Sequence, residues 1–183
     1  TFLRGDQTYA VPSGGGGAPT DATYWVNDAH ASLSAEKIML VKTKSVDELV
    51  NNSTTFQNDD DFFFSIAANE VWLVECFIRL DIFAVSDFKQ WWTLPAGCIM
   101  RGIPDDVNNF GSSTAGAIVV EIDLTTSRTK TSASNVTTVF LERGIVINAG
   151  TAGTVQYQWA QAALEAVNTA VKKGSVMRAT KLI

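Results

Sequence analysis

The chain has 183 residues, with 14 Lys and Arg against 19 Asp and Glu, a formal charge of −5. It is 46% hydrophobic and 18% charged. A charged share below the usual ~25% excludes a disordered acidic tail, and an acidic balance without a Lys/Arg stripe excludes nucleic acid as a partner. No apolar run reaches the ~20 residues of a membrane span, and no charged leader with an apolar core opens the chain.

Residues 1–22 read as a flexible attachment arm. Gly14 to Gly17, bounded by Pro12-Ser13 and Ala18-Pro19, cannot support a helix or a strand and make a hinge. Upstream of the hinge, Phe2, Leu3, Arg4, Tyr9 and Val11 are the side chains a partner would grip. Arg4-Gly5-Asp6 matches an adhesion tripeptide, too short a match to carry weight. Residues 23–183 read as the folded domain. Tyr24-Trp25-Val26 predicts a short strand. Ser32 to Glu36 resembles a helix start, one residue too wide for a capping box, and Lys37 to Val41 suits a strand.

From Thr54 the pattern is β. Asp59-Asp60-Asp61 reads as a solvated turn before an aromatic strand ending at Ile66, with Ala67-Ala68-Asn69 as a tight connection. Glu70 to Asp81 is the clearest strand. Trp72, Val74, Cys76, Ile78 and Leu80 share one face, and Leu73, Glu75, Phe77, Arg79 and Asp81 the other. Folded as a helix, this run would scatter its apolar set around all sides. The Leu73/Phe77 face is itself half apolar, which predicts cover by a second sheet, a neighbouring subunit, or both.

Further strands are predicted at Phe88–Leu94, Cys98–Ile103, Ala117–Leu124, Thr138–Asn148, Thr154–Gln161 and Val176–Ile183. Pro95-Ala96-Gly97, Pro104-Asp105-Asp106, Asn148-Ala149-Gly150 and Lys172-Lys173-Gly174 are the turns between them. Ala162 to Val171 fits a helix or a crossing strand. About eight short strands with turns every ten residues predict an all-β fold, a β-sandwich or jelly roll with an extended N-terminal arm.

The chemistry-bearing residues form no recognised constellation. Cys76 and Cys98 have neither CxxC spacing nor a neighbouring His, so no metal site is expected, and Cys76 reads as a small buried hydrophobe. His30, the single histidine, sits in a polar stretch far from any nucleophile and reads as solvated. Glu75, Asp81, Glu121 and Asp123 are the residues from which a glycosidase-like carboxylate pair would have to come. Outward strand charges that block edge pairing explain them more simply. No G-x-S-x-G, Walker loop or dinucleotide fingerprint occurs, so no catalytic residue and no cofactor is assigned. The aromatic surplus is more informative. Adjacent Trp91 and Trp92 must point to opposite faces, and with Phe63, Leu73 and Phe77 they exceed what one small sandwich hides. A closed oligomer would cover them; stacking aromatics also make sugar platforms.

Several segments resemble tailed-bacteriophage virion structural proteins. Phe2 to Pro12 is similar to an "FLRGDGTWA-P" segment, with Gln7 and Tyr9 in place of Gly and Trp. Phe56 to Asp60 with Ala67 to Trp72 resembles "LQNDD…AANEVW", Gly150 to Gln161 resembles "GTAGTVQLQWAQ", and Lys173 to Ala179 resembles "KAGSYLRA". The resemblance implies a non-enzymatic, homotrimeric structural protein made in the host cytoplasm and carried on the virion. Without a long fibre stalk, 183 residues suit a capsid-decorating cement or head-fibre protein, its arm lying on the major capsid protein. The alternative is a tail-fibre tip recognising host surface glycan.

Overall fold

A computed structural model describes residues 38–105, 121–132 and 134–183, with the backbone of two short strands nearer the start, β1 (Phe2–Leu3) and β2 (Tyr9–Ala10). The chain divides into two compact units, Thr1–Leu33 and Ser34–Ile183. In the first, β1 and β2 pair antiparallel, Phe2 opposite Ala10 and Leu3 opposite Tyr9. The glycine hinge, Arg4, Val11, the strand expected at Tyr24–Val26, His30 and the Ser32–Glu36 helix start lie outside the described residues, as do the side chains of Phe2, Leu3 and Tyr9.

The second unit is all-β and antiparallel, with no helix among the described residues. Its strands are β3 (Met39–Thr43), β4 (Glu48–Val50), β5 (Gln57–Ile66), β6 (Val71–Ile82), β7 (Phe88–Thr93), β8 (Ile99–Asp105), β9 (Ile122–Asp123), β10 (Arg128–Lys130), β11 (Val136–Ile147), β12 (Gly153–Ala160), β13 (Thr169–Val171) and β14 (Val176–Lys181). An eight-stranded sheet runs β3-β14-β6-β11-β8-β9, with β13 beside the far end of β6 and β4 outside β13. A four-stranded sheet runs β10-β7-β12-β5. The spine of the larger sheet is β6 on β11, paired from Val71–Ile147 to Ile82–Val136 without a break.

Alternation then builds the core. The large sheet turns in Trp72, Val74, Cys76, Ile78 and Leu80 from β6, with Phe140 and Val146 from β11. The small sheet answers with Phe62, Phe64 and Ile66, with Phe88 and Trp92, and with Val155, Tyr157 and Trp159. Rings meet between the sheets: Phe64 and Trp72 lie 5.0 Å apart, Phe88 and Phe140 6.2 Å. Each large side chain hidden this way contributes about 1.5–3 kcal/mol. Gly144 leaves the space that Leu124 and Met100 fill, since a Cβ there would fall 2.7 Å from Leu124 Cδ1 and 2.8 Å from Met100 Cε. Trp92 is buried and Trp91 half-buried, as their adjacency requires.

Three charged side chains, Glu142, Lys44 and Asp59, sit inside this apolar body, and each has an ionic partner. Glu142 of β11 accepts Trp92 Nε1–H and Gln90 Nε2–H (3.3 Å), and the Arg128 guanidinium approaches it to 2.7 Å. The Tyr157 hydroxyl donates to Gln90. Lys44, 1% exposed, follows β3 and reaches Glu48 Oε2 at 2.5 Å, Asp59 Oδ1 at 3.1 Å and Asp61 Oδ2 at 3.3 Å. Asp59 Oδ1 also accepts the N–H groups of Asp61 and Phe62, both at 3.0 Å.

This network corrects the reading of Asp59-Asp60-Asp61 as a solvated turn. The three residues belong to β5, and Asp59 is buried because Lys44, distant in sequence, neutralises it. Other differences have equally local causes. Pro104 and Asp105 belong to β8 and do not form a turn; Pro104 lies opposite Glu142. Ala162 to Val171 is a loop closing on three-residue β13, where Gln161 accepts the Ser53 N–H and donates to the Val167 carbonyl. Of Ala117–Leu124 only Ile122–Asp123 is a described strand. Short β4 and β10 have too few residues to show alternation. The expected turns do form at Asn69 and Gly174, both with positive φ (62° and 83°).

Burial alone would lower the Lys44 pKa, but the bonds and charges of Glu48 and Asp59 outweigh it and hold it above the usual 10.5. A raised cation stabilises the fold fully below 10.5, and that stability is lost as pH climbs through the folded value. Lys44→Met leaves Asp59 buried without its cation and is expected to cost about 3–5 kcal/mol in urea unfolding at neutral pH. The gap to wild type should hold constant up to about pH 10 and narrow only above 10.5; a gap that narrows already at neutral pH would contradict this role.

Candidate interaction surface

With one face of the large sheet filled by the small sheet, the other face points outward, and it is not polar. Strand register orders it in rows. One row is Met39, Thr180, Leu73, Ile145, Arg101 and Asp123. The next is Val41, Arg178, Glu75, Arg143 and Ile103, and the third is Thr43, Val176, Phe77 and Leu141. A further pair, Ile147 and Ile99, extends it beside Val71. Met39 is 57% exposed, Val41 56%, Phe77 44%, Ile103 39% and Leu141 37%. The face is also hollowed: a groove of about 450 Å³ runs over it between Met39 and Val41 on one side and Phe77 and Leu141 on the other.

Charge on this face is gathered at its centre. Glu75 receives Arg178 Nε–H at 2.8 Å and lies 3.3 Å from Arg143 Nε. Arg101 stands 3.6 Å from Asp123 at the β9 end. No lysine occurs in these rows.

The four carboxylates that could have formed a catalytic pair are not brought together. Glu75 and Asp81 lie on one face of β6, six residues apart, about 20 Å along the strand. Asp123 is three strand spacings from β6, roughly 14 Å. Each is held differently. Asp81 binds Lys172 Nζ (2.9 Å) and the Thr137 hydroxyl (2.5 Å). Asp123 accepts the Thr125 hydroxyl and N–H, which hold its carboxyl below the ordinary range, the reverse of what a general acid needs. Glu121 is exposed just before β9. Burial pushes the Cys76 thiol well up, as befits a small core side chain. Among the described residues no group of His, Cys, Asp and Glu is arranged to hold a metal ion.

The remaining aromatic surplus divides between two places. On the outer face of the small sheet Trp91 stacks on Phe56 with centroids 5.0 Å apart, and Lys89 Nζ lies 4.7 Å from the Phe56 centroid. Trp91 Nε1–H donates to Gln158 (2.5 Å), and Gln158 Nε2–H donates to Asn58 (2.6 Å). Phe63, 40% exposed, lines a groove of about 840 Å³ where β3 and β5, the end strands of their sheets, face each other, with Lys42 Nζ 5.0 Å from its ring centroid.

Sequence reading found Leu73 and Phe77 but missed Met39, Val41, Ile99, Ile103, Leu141 and Ile147. The signal was present: Leu141, Ile145 and Ile147 make the outward set of β11 as apolar as its inward set, which holds Glu142 and Gly144.

No family model and no curated protein matches the chain. Among solved structures it is similar to the tripod (BppUct-A-L) from the baseplate of bacteriophage Tuc2009. The identity is 11% and the TM-score 0.37, over 99% of this chain and 82% of that one.

Exposed ion pairs contribute little because water screens them and long side chains must be ordered to make them. Glu75→Gln is therefore expected to shift the unfolding free energy by less than ~1 kcal/mol. Glu142→Gln, which replaces a buried and fully engaged carboxylate, should lower it by about 3 kcal/mol. Equal costs in chemical denaturation would contradict the placement of the two groups.

Proposed function

We propose that the chain is a non-enzymatic structural subunit of a tailed-phage particle: a capsid-decorating cement or head-fibre protein, working as a homotrimer on the virion surface. The observation that supports it is where the phage-like segments fall. Phe56–Asp60 enters β5 and Gly150–Gln161 carries β12, its partner in the small sheet. Ala67–Trp72 enters β6 and Lys173–Ala179 carries β14, its partner in the large sheet. Asn148 joins the two sets, donating to the carbonyls of Ala67 and Thr151, both at 2.8 Å. All the phage-like segments but Phe2–Pro12 thus fall within one compact unit.

In this reading the sandwich is a rigid block, and the arm makes the attachment. Phe2, Leu3, Arg4, Tyr9 and Val11 lie along the major capsid protein. Three arms from one trimer bind with far greater avidity than one, because the second and third attachments are intramolecular.

The second reading, a tail-fibre tip gripping host glycan, draws on Trp91, Phe56 and the amide ladder through Gln158 and Asn58, since sugar rings pack on aromatic faces. Lys89 over Phe56 is what a sugar would have to displace. Position on the particle separates the readings, as a cement protein covers the head and a tip marks only the tail.

Deleting residues 1–17 is expected to abolish binding to particles, by co-sedimentation, with the urea midpoint of the sandwich unchanged. Undiminished occupancy after this deletion would overturn the attachment role.

A further inference from the structure

We infer that the outer face of the eight-stranded sheet is where copies of this chain meet one another, Phe77, Leu141, Met39, Val41 and Ile103 being hidden there from water. The inference deepens the proposed self-assembly and rests on that part of the reading; it assigns a surface to it.

Three observations select a second copy as the occupant. The first is extent. Five strands at ~4.8 Å and seven residues at ~3.3 Å give a plane of about 550 Å². Two such planes hide about 1,100 Å² before side-chain relief is counted, close to the ~1,200 Å² at which specific interfaces begin and above most crystal contacts.

The second is composition. Aromatic, Met and Arg side chains are those enriched in protein interfaces, and Lys those depleted. Phe77, Met39, Arg143 and Arg178 are present and lysine is not. The third is electrostatic. Two exposed arginines stand on one carboxylate, Glu75, so all but one of the central charges are met within the subunit. Covering the face leaves a single excess cation per copy for a neighbour's polar groups to meet. The groove beside Phe77 gives a neighbour's side chains somewhere to enter.

The test is sedimentation equilibrium of the full chain over about 1–100 μM, beside three variants. Phe77→Glu with Leu141→Glu, and separately Val41→Lys on the edge strand β3, should weaken association at least 100-fold with an unchanged urea midpoint. Leu164→Glu replaces an apolar side chain that is 63% exposed off this face and should associate like wild type. Wild type that assembles, with face variants assembling equally, overturns the assignment of the surface and leaves self-assembly standing. A monomeric wild type across the range overturns both. A wild-type dimer abolished by the face variants supports the surface and contradicts the trimer. Should the double variant fail to fold, Val41→Lys decides.

Discussion

The twelve-residue ladder between β6 and β11 is the constraint from which the rest follows. Alternation sends successive side chains to opposite faces of a sheet. Both strands carry apolar residues at both parities, so no register can hide them all within one sheet. The small sheet solves half the problem by covering Trp72, Val74, Cys76, Ile78, Leu80, Phe140 and Val146. The other half, Leu73, Phe77, Leu141, Ile145 and Ile147, is left outward by the same geometry. A slip of one residue would exchange the two sets and bring Glu75 and Arg143 into the core. The buried face specifies the register, and the register makes the exposed face.

The polar groups inside the sandwich fit this picture as pins rather than as a reaction centre. Glu142 extends from the large sheet to Trp92 and Gln90 of β7 and to Arg128 of β10. Lys44, just after β3, ties that strand to β4 through Glu48 and to β5 through Asp59 and Asp61. Unlike apolar contacts, such bonds are directional and lose much of their worth when displaced by an ångström or two. They fix how one sheet sits on the other. Removal of one partner strands a charge, whereas an apolar replacement of the whole set would cost far less.

The legibility of the sequence follows from the range of the forces involved. Strands β6, β11 and β12 showed themselves, because they are long enough for a period of two to stand out, whereas ten-residue β5 hid its first half behind three acids. The turns at Asn69, Gly97 and Gly174 were readable because positive φ restricts the residue. What local pattern could not show was pairing between distant positions. Asp59 looks solvent-seeking until Lys44 is beside it, and Asp81 looks available until Lys172 and Thr137 are. Pro104 looks like a turn until β8 is placed beside β11. The interaction surface was half legible. Phe77 betrayed itself on a long strand, but Met39 and Val41 lie on a five-residue edge strand, and nothing nearby shows which way it faces.

The central claim is that the outward half of the β6–β11 ladder is covered when the protein is in its working state. Hydroxyl-radical footprinting of the assembled full-length protein measures this directly, residue by residue. The account predicts strong protection of Met39, Phe77 and Leu141 relative to the dissociated chain, with Val46 and Leu164 equally reactive in both. Met39 and Phe77 as reactive in the assembly as in the free subunit would contradict it.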